Sequence, residues 1–317
     1  MERAHVLLTG GTGFFGLALL RQLQISGLRA PQITILSRNP EAFRAKHPEL
    51  ASLASWIKGD ILLRESLPWK ERFSHILHGA ADSTLGPSLG LVERYTQIVD
   101  GTRNLLDLAL ETATARFLLV SSGGVYGVQP RALQGIPEDY FGMPDPLNAE
   151  NAYSVAKRTA EHLCGLYRKT HGLEIVIARC FSFVGADLPK NAHFAIGNFL
   201  RDALAGEDIT VRGDGTDVRS YLDQRDLAHW LFTLLLKGGD GHAYNVGSDV
   251  AITIAELASL VRDLVAPKKA VHVLSQSQDV GIRSRYVPDI SKAQNSLGLQ
   301  VSIPLTKAIL IAAESNR

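Results

Sequence analysis

A glycine-rich loop near the N-terminus constrains this chain more than any other feature. It follows a short apolar run at 4–8, precedes a helical pattern of leucines, and reads Thr9-Gly10-Gly11-Thr12-Gly13-Phe14-Phe15-Gly16. Glycines at a strand-to-helix turn let the backbone approach a pyrophosphate at the helix N-terminus. We therefore predict a dinucleotide phosphate site formed by Gly10, Gly13, Phe14, Phe15 and Gly16. An ordinary turn is the alternative, and the flanking strand and helix disfavour it.

Apolar segments alternate with amphipathic ones along the first 180 residues. The pattern predicts strands at 33–36, 55–58, 74–77, 116–120 and 174–178, and helices at 91–113 and 152–170. This alternation predicts an α/β chain with a doubly wound parallel sheet, the Rossmann fold. Beyond 180 the rhythm breaks, so we expect a smaller C-terminal α/β lobe. We place the Rossmann domain at 1–180 with 221–243 returning to it, and the lobe at 181–220 and 244–317.

Charge and cysteine content exclude several classes of partner. Lys and Arg total 33 against 32 Asp and Glu, a net charge of +1, so we expect no nucleic-acid partner. The cysteines Cys164 and Cys180 lack zinc-ligand spacing and are too few for a disulfide framework, so we expect no metal and a reducing environment. With no apolar run near the ~20 residues of a bilayer span and no signal peptide, we expect a cytoplasmic protein without a membrane partner.

The end of the second predicted strand bears on the choice of cofactor. It reads Leu36-Ser37-Arg38 and lacks the carboxylate that binds the ribose 2′-hydroxyl in NAD sites. Arg38 can pair with a 2′-phosphate while Ser37 donates a hydrogen bond. We therefore predict NADP, with NAD as the alternative and a solvated Arg38 as the second interpretation. Asp60, after the third strand, can accept a hydrogen bond from adenine or cap a turn.

Three side chains are candidates for proton transfer. Tyr153 and Lys157 lie four residues apart on a predicted helix, so they share one face. We expect the lysine charge to lower the pKa of the phenol from about 10, and its remaining N–H donors to bind the nicotinamide ribose. Ser122 follows the predicted central strand, at the edge where such sheets bind ligands. The alternatives are an exposed Tyr–Lys pair and a serine that caps the strand end.

An ordered set of motifs carries a resemblance to a known family. Besides the glycine loop, Ser122, Tyr153 and Lys157, the set comprises Gly59-Asp60-Ile61, His78-Gly79-Ala80-Ala81, Gly101-Thr102, Asn104-Leu105-Leu106, Tyr126-Gly127, Gly213-Asp214-Gly215, Arg219-Ser220-Tyr221, Asp226-Leu227-Ala228, Tyr244-Asn245-Val246-Gly247 and Asp289-Ile290-Ser291-Lys292-Ala293. In this order they resemble the extended short-chain dehydrogenase/reductases, especially the nucleotide-sugar epimerases, dehydratases and 4-keto reductases. The resemblance covers nearly the whole chain.

The resemblance implies roles for these residues. Ser122, Tyr153 and Lys157 form the catalytic set, and hydride passes between C4 of a nucleotide-diphosphate sugar and the nicotinamide. The cofactor is also contacted by Asp60, Ile61, Ala80 and Ala81. The C-terminal lobe binds the substrate through Ser182 and Arg219, with Arg283 or Arg285 replacing a second arginine that is Asp279 here; a surface ion pair is the alternative for Arg219. The helices at 91–113 and 152–170 form a homodimer interface.

Two glycines narrow the expected reaction. The 4,6-dehydratases of the family carry an Asp-Glu pair after the catalytic hydroxyl residue, whereas this chain has Gly123-Gly124, which cannot act as an acid or base. We therefore expect a 4-keto-sugar reductase, with a nucleotide-sugar 4-epimerase as runner-up. A silent NADP-binding protein and a non-sugar ketone reductase are two further hypotheses. His193 lies near an acid/base histidine of some relatives, but a packing or surface role is the stronger interpretation.

Overall fold

The computed structural model describes residues 4–26, 31–81, 89–190, 192, 194–274 and 284–315. The strands within these ranges are β1 (His5–Thr9), β2 (Gln32–Ser37), β3 (Ser55–Lys58), β4 (His75–His78), β5 (Arg116–Ser122), β6 (Glu174–Cys180), β7 (Phe183–Val184), β8 (Ile209–Val211), β9 (Val218–Arg219), β10 (Leu222–Asp223), β11 (His242–Val246), β12 (Ile252–Thr253), β13 (Val271–Val273) and β14 (Arg285–Tyr286). The helices are α1 (Phe14–Ser26), α2 (Pro40–Lys46), α3 (Pro48–Ala51), α4 (Leu91–Glu111), α5 (Ala152–His171), α6 (Ala195–Leu204), α7 (Gln224–Lys237), α8 (Ile254–Val265), α9 (Ser291–Leu297) and α10 (Leu305–Glu314).

A seven-stranded sheet organises the first part of the chain. Its strand order is β11-β6-β5-β4-β1-β2-β3, and the pairs from β6 to β3 are parallel. The strand order reverses between β1 and β4, and ligands of such sheets bind at this point, outside the carboxyl ends of the strands. The predicted Rossmann α/β fold is confirmed.

The sheet forms because its central strands are apolar on both faces. Val6 and Leu7 of β1 are consecutive residues that face opposite sides of the sheet, as are Phe117 and Leu118 of β5, and all four are fully buried. Burial on both faces is typical of parallel strands covered by helices, and Leu105 of α4 packs in the same core. No helix within the described ranges combines the length and apolarity needed to cross a bilayer.

The chain divides into two compact units. The first comprises Met1–Gly127, Met143–Cys180 and Ala228–Tyr244, and the second comprises Val128–Gly142, Phe181–Leu227 and Asn245–Arg317. These bounds differ from the predicted ones at 128–142 and 221–227, which group with the second unit, and at Tyr244, which groups with the first. Backbone hydrogen bonds explain the first difference, since the Ile136 amide donates to Val287 O and the Asp289 amide to Ile136 O. The Asp226 carboxylate explains the second, since it accepts from the Ser302 and Ile303 amides.

A buried asparagine holds the second unit together around short strand pairs. In this unit β9 pairs with β12 and β14, β8 with β13, and β7 with β10. The fully buried Asn245 donates from Nδ2 to Ile136 O and to Asp289 O, both at 2.8 Å. Its backbone amide donates to the Glu138 carboxylate at 2.8 Å. One side chain thereby joins three segments that are distant in sequence.

Candidate active site

The loop after β1 has the shape of a phosphate cradle. Gly10 has a φ of +78°, and a Cβ there would lie 2.6 Å from the carbonyl carbon of Gly79. A Cβ on Gly16 would lie 2.2 Å from the carbonyl carbon of Gly11. A Cβ on Gly13 would meet only Gly10 O, at 3.6 Å, so nothing in the described protein requires glycine there. The space that it leaves open at the N-terminus of α1 fits a dinucleotide pyrophosphate.

A neutral, buried histidine is hydrogen-bonded to Thr9, the residue that precedes the loop glycines. His78 is buried, with Nδ1 2.8 Å from Thr9 Oγ1 and Nε2 3.1 Å from Thr102 Oγ1. Because the Thr102 hydroxyl donates to Ile98 O, its oxygen accepts from Nε2–H, and Thr9 then donates to Nδ1. Burial lowers the pKa of His78 to about 3, so the ring is uncharged. The Thr9 hydroxyl also accepts from the Ala80 amide at 3.2 Å, which ties β1 to the residues after β4.

The predicted adenosine-side residues lie at the ends of β2 and β3. Ser37 is half-buried and accepts a hydrogen bond from the Asn39 amide at 3.3 Å, while Arg38 is exposed. Asp60 Oδ1 accepts from the Leu62 amide at 3.0 Å, which is its turn-capping role. The predicted contacts of these residues with adenosine stay predictions.

The remaining predicted cofactor residues follow β3 and β4. Ile61 is buried against Gly101 of α4, where a Cβ would lie 2.5 Å from Ile61 Cδ1. The carbonyl oxygen of Ile61 accepts from Asn104 Nδ2 at 2.8 Å. Ala80 and Ala81 are half-buried just after β4. Ala80 and Ala81 therefore follow β4, which pairs with β1. Ile61 follows β3, which is separated from β1 by β2.

The three predicted catalytic side chains come together in the first unit. Ser122 ends β5, and its hydroxyl is hydrogen-bonded to the phenol of Tyr153 near the start of α5. The same serine oxygen accepts from the Gly124 amide at 3.1 Å. Lys157 Nζ donates to Val120 O at 2.8 Å and lies 6.0 Å from the centre of the Tyr153 ring. The arrangement can hold a substrate oxygen and exchange a proton with it.

Burial dominates the electrostatics of this set. Burial raises the pKa of Tyr153, and the hydrogen bond from Ser122 and the charge of Arg94 oppose the rise only in part. The prediction that the lysine lowers the pKa of Tyr153 is therefore wrong for the protein without bound cofactor. The phenol packs against the hydrophobic core, and the lysine nitrogen lies 6.0 Å from the ring centre. Burial also lowers the pKa of Lys157 to about 8.

Sequence reasoning missed Arg94, which stacks on Tyr153. Arg94 lies in the first turn of α4, and its Cζ is 4.5 Å from the centre of the Tyr153 ring. Its Nε is buried and finds no hydrogen-bond partner within the described part of the chain. No spacing rule could have paired these residues, because they belong to different helices far apart in sequence.

A half-buried ion pair one helical turn beyond Lys157 was also missed. Glu161 lies one helical turn after Lys157, and Arg179 of β6 binds it with Nη2 2.8 Å from Oε2. Arg179 Nη1 also donates to the Tyr126 hydroxyl at 2.9 Å, and Ser121 donates to Glu161 at 2.6 Å. The pair joins α5 to β5 and β6 next to the catalytic set. Its four-residue spacing from Lys157 was the one available signal in the sequence.

A side chain at Gly124 would crowd the neighbouring serine hydroxyls. A Cβ at this position would lie 2.6 Å from Ser154 Oγ and 3.4 Å from Ser122 Oγ. A carboxylate could therefore enter beside Ser122 only if Ser154 moved. The packing around position 124 is thus consistent with the glycine that the sequence has there.

The predicted substrate residues lie in the second unit. Ser182 is half-buried, and its carbonyl oxygen accepts from the Leu222 amide at 3.0 Å. Arg219 donates to Ser284 O at 3.0 Å and forms an ion pair with Asp217, with Nη2 3.1 Å from Oδ2. The predicted surface ion pair of Arg219 is thus present, and diphosphate binding stays a prediction.

Three further predicted positions, Arg283, His193 and Asp279, lie outside the described residues. Arg285, the alternative to Arg283, lies in β14 and donates from Nε to Gln134 O at 2.8 Å. Its side chain therefore already contacts the segment before Gly135.

This combination of sheet, loop and Ser–Tyr–Lys set is that of an extended short-chain dehydrogenase/reductase, an NAD(P)-dependent enzyme. A model of the NAD dependent epimerase/dehydratase family matches residues 6–247. The chain belongs to this family, and the predicted resemblance is confirmed.

Individual relatives agree with this assignment. The chain is 29% identical over 313 residues to UDP-glucuronic acid decarboxylase 1 of Danio rerio, covering 97% of this chain and 71% of that protein. It is 34% identical over 222 residues to UDP-glucuronic acid decarboxylase 3 of Arabidopsis thaliana, covering 69% of this chain and 62% of that protein. The fold is similar to that of UDP-glucose 4-epimerase from Thermotoga maritima, solved with UDP-glucose, at a TM-score of 0.85 and 22% identity over 99% and 98% of the two chains.

Proposed function

We propose that the protein is an NADP-linked reductase of a nucleotide-linked 4-keto sugar. We base this above all on Gly124, which lies beside the hydrogen-bonded hydroxyls of Ser122 and Tyr153, carries no acid or base, and would admit a side chain only if Ser154 moved. Elimination of water from a sugar needs a second acid or base near the reacting carbons. Glycine at 123 and 124 supplies no acid or base beside Ser122, which suits reactions confined to redox and proton transfer at one carbon.

The side chains divide this chemistry between them. When bound, the nicotinamide supplies or accepts hydride at C4. The Tyr153 hydroxyl moves the proton at O4, and the Ser122 hydroxyl holds the same oxygen in place. Lys157, fixed by its bond to Val120 O, has further N–H donors for the nicotinamide ribose.

The cofactor preference rests on Arg38. This exposed arginine directly follows β2, where NAD-binding relatives of this fold use a carboxylate. An arginine there favours a 2′-phosphate, and NADPH suits a reductase that exchanges its cofactor at every turnover. We extend the proposal to the second unit as the substrate-binding lobe for the nucleoside diphosphate, with Ser182, Arg219 and Arg283 as contacts, and to a homodimer through α4 and α5.

Two more reactions would use the same residues. A 4-epimerase oxidises and re-reduces C4 with a retained cofactor, and Gly124 suits it equally well. Decarboxylation of a uronic acid after oxidation at C4 is the third, because two relatives are UDP-glucuronic acid decarboxylases. The three reactions differ in net cofactor consumption and in the sugar product.

The test is turnover by the purified protein. It is incubated with NADPH or NADH and a panel of UDP-, dTDP-, CDP- and GDP-linked 4-keto sugars, and nicotinamide absorbance is followed; UDP-glucuronic acid is added with NAD. We expect stoichiometric loss of NADPH with one 4-keto sugar. Interconversion of parent nucleotide sugars without net cofactor consumption would favour the epimerase, and release of carbon dioxide from UDP-glucuronic acid would favour the decarboxylase.

A variant tests the cofactor preference separately. Arg38→Gln removes the charge proposed to bind the 2′-phosphate, so the preference for NADPH over NADH in kcat/KM should fall by about tenfold or more. Arg44→Gln is the matched control, because Arg44 is a nearby arginine on α2 paired with Glu41. Equal preferences in wild type and Arg38→Gln would show that Arg38 is a solvated loop residue.

A further inference from the structure

The proposed mechanism leaves the Arg94 stack on Tyr153 without a role. Arg94 Cζ lies 4.5 Å from the ring centre, within the range of a cation–π contact. The arginine is half-buried in the first turn of α4, and the tyrosine lies on α5. The contact therefore joins two helices directly at the group proposed to transfer the proton.

Within the described residues, four elements present polar or charged groups to this phenol. They are the Ser122 hydroxyl of β5, the Lys157 ammonium of α5, the Cys180 thiol of β6 and the Arg94 guanidinium of α4. Burial raises the pKa of the Cys180 thiol, so it stays neutral and offers no charge.

The two cations act differently on the phenol. The Lys157 nitrogen is tied to Val120 O, 6.0 Å from the ring centre, and burial lowers its pKa to about 8. Above that pH the lysine loses its charge. An arginine keeps its charge throughout the working range, so Arg94 is a permanent cation against Tyr153.

We propose that Arg94 is a positioning residue for Tyr153, which orients the ring toward Ser122 and stabilises the phenolate left when the proton moves to the substrate oxygen. The inference deepens the proposed function at C4 and rests on it. A cation over a neutral phenol interacts with the ring quadrupole alone, whereas over a phenolate it interacts with a full negative charge. Arg94 therefore binds the state after proton transfer more strongly than the state before it, which is what accelerates a step.

The first test reads the phenol directly and needs no substrate. The full-length protein with bound NADP⁺ carries tyrosine labelled with carbon-13 at Cζ, and the Tyr153 signal is assigned by its loss in Tyr153→Phe. Replacing Arg94 by Met or Gln should raise the titration midpoint of Tyr153 by about one pH unit. Arg94→Lys, which keeps the charge without the planar stack, should show less than half of that shift.

Arg103→Met is the matched control. Arg103 lies on the same helix but hydrogen-bonds Tyr167, so its loss removes the same charge and should leave Tyr153 unchanged. Equal midpoints in wild type and both neutral Arg94 variants would overturn the proposal. So would a Tyr153 that stays protonated in wild type across the range in which the protein is folded. The Gln variant decides the matter if the Met variant does not fold.

Kinetics provide a second readout that separates this inference from the proposed function. If a nucleotide sugar is turned over, the neutral variants should lose about tenfold in kcat with KM within twofold, and the pH profile should shift in the direction of the Tyr153 midpoint. Arg94→Lys should restore part of the loss. If no nucleotide sugar is turned over, the proposed function fails, and the titration still decides the role of Arg94.

Discussion

Tyr153 shows how burial and contact act against each other at one residue. Burial in the first unit disfavours the phenolate, whereas the Ser122 hydrogen bond and the Arg94 charge favour it. The hydroxyl must nevertheless give up a proton in each reaction considered. The proposed role of Tyr153 therefore depends on its hydroxyl group, because phenylalanine would supply the same ring without it.

Tyr153→Phe should therefore abolish most activity and leave the fold intact. We expect kcat to fall by about 100-fold or more, since general acid–base groups contribute on the order of 10² to 10⁴. Steady-state kinetics and thermal melting measure the two effects. Tyr95→Phe is the control, because its hydroxyl lies 3.3 Å from Thr159 between the same two helices and outside the catalytic set. Similar losses in both variants would contradict the role of Tyr153.

Lys157 makes the protein less stable where it is charged. Its pKa is about 8 in the folded protein against an ordinary value of 10.5, so the fold disfavours the ammonium. Below about pH 8 the whole cost is present. Between about 8 and 10.5 the unfolded chain still binds the proton that the folded chain has lost, so stability rises with pH across this window.

Lys157→Met should thus stabilise an inactive protein. At pH 7 we expect the free energy of unfolding to rise by about 1 to 2 kcal/mol, less than the pKa difference alone implies because the bond to Val120 O is lost. The gain should shrink as pH rises from 8 toward 10. Urea unfolding at several pH values measures it, with exposed Lys169→Met on the same helix as control. A gain that is independent of pH would contradict burial as its cause.

At the scale of an element, different glycines of the loop after β1 should affect stability and cofactor affinity. Gly10→Ala places a Cβ against the Gly79 backbone at positive φ, so it should cost about 2 kcal/mol or more of stability. Gly13→Ala meets no such contact and should change stability by less than about 1 kcal/mol, yet lower NADP affinity about tenfold or more because the methyl group points into the phosphate cradle. Thermal melting and cofactor titration distinguish the two.

A third glycine serves as the control for these changes. Gly165 lies in α5 with no atom within 4 Å of an added Cβ. Gly165→Ala should therefore stabilise the protein by roughly 0.5 to 1 kcal/mol through helix propensity, with unchanged cofactor affinity. Cofactor affinity that survives intact in Gly13→Ala would argue against the cradle.

Sequence patterns predicted the elements well where local chemistry determines them. The predicted helix at 152–170 is α5, which ends just before Gly172 in a left-handed conformation. The predicted strand at 55–58 is β3. Patterns failed where the outcome depends on which distant segments meet: they did not reveal that Arg94 stacks on Tyr153, that burial would raise the pKa of that tyrosine, or that 128–142 groups with the second unit.

At the scale of the whole molecule, α4 and α5 are the helices proposed to form the homodimer interface. These helices pack against each other in the first unit, through contacts that include Tyr95 and Thr159. Both also expose apolar side chains, with Val92 of α4 80% exposed and Leu166 of α5 45% exposed. Apolar side chains are commonly covered at subunit interfaces, which supports the proposed homodimer.

Leu166→Glu tests the homodimer, because a charge within an apolar helix interface is costly to bury. Sedimentation should give about twice the mass of one chain for wild type and the mass of one chain for the variant. Leu236→Glu on α7 is the matched control: this leucine is 43% exposed, close to the 45% of Leu166, but lies on a helix outside the proposed interface. If the control also dissociates, the interface involves α7. If wild type sediments as a single chain, the exposed Leu166 needs no partner and the proposed catalytic set functions within one copy.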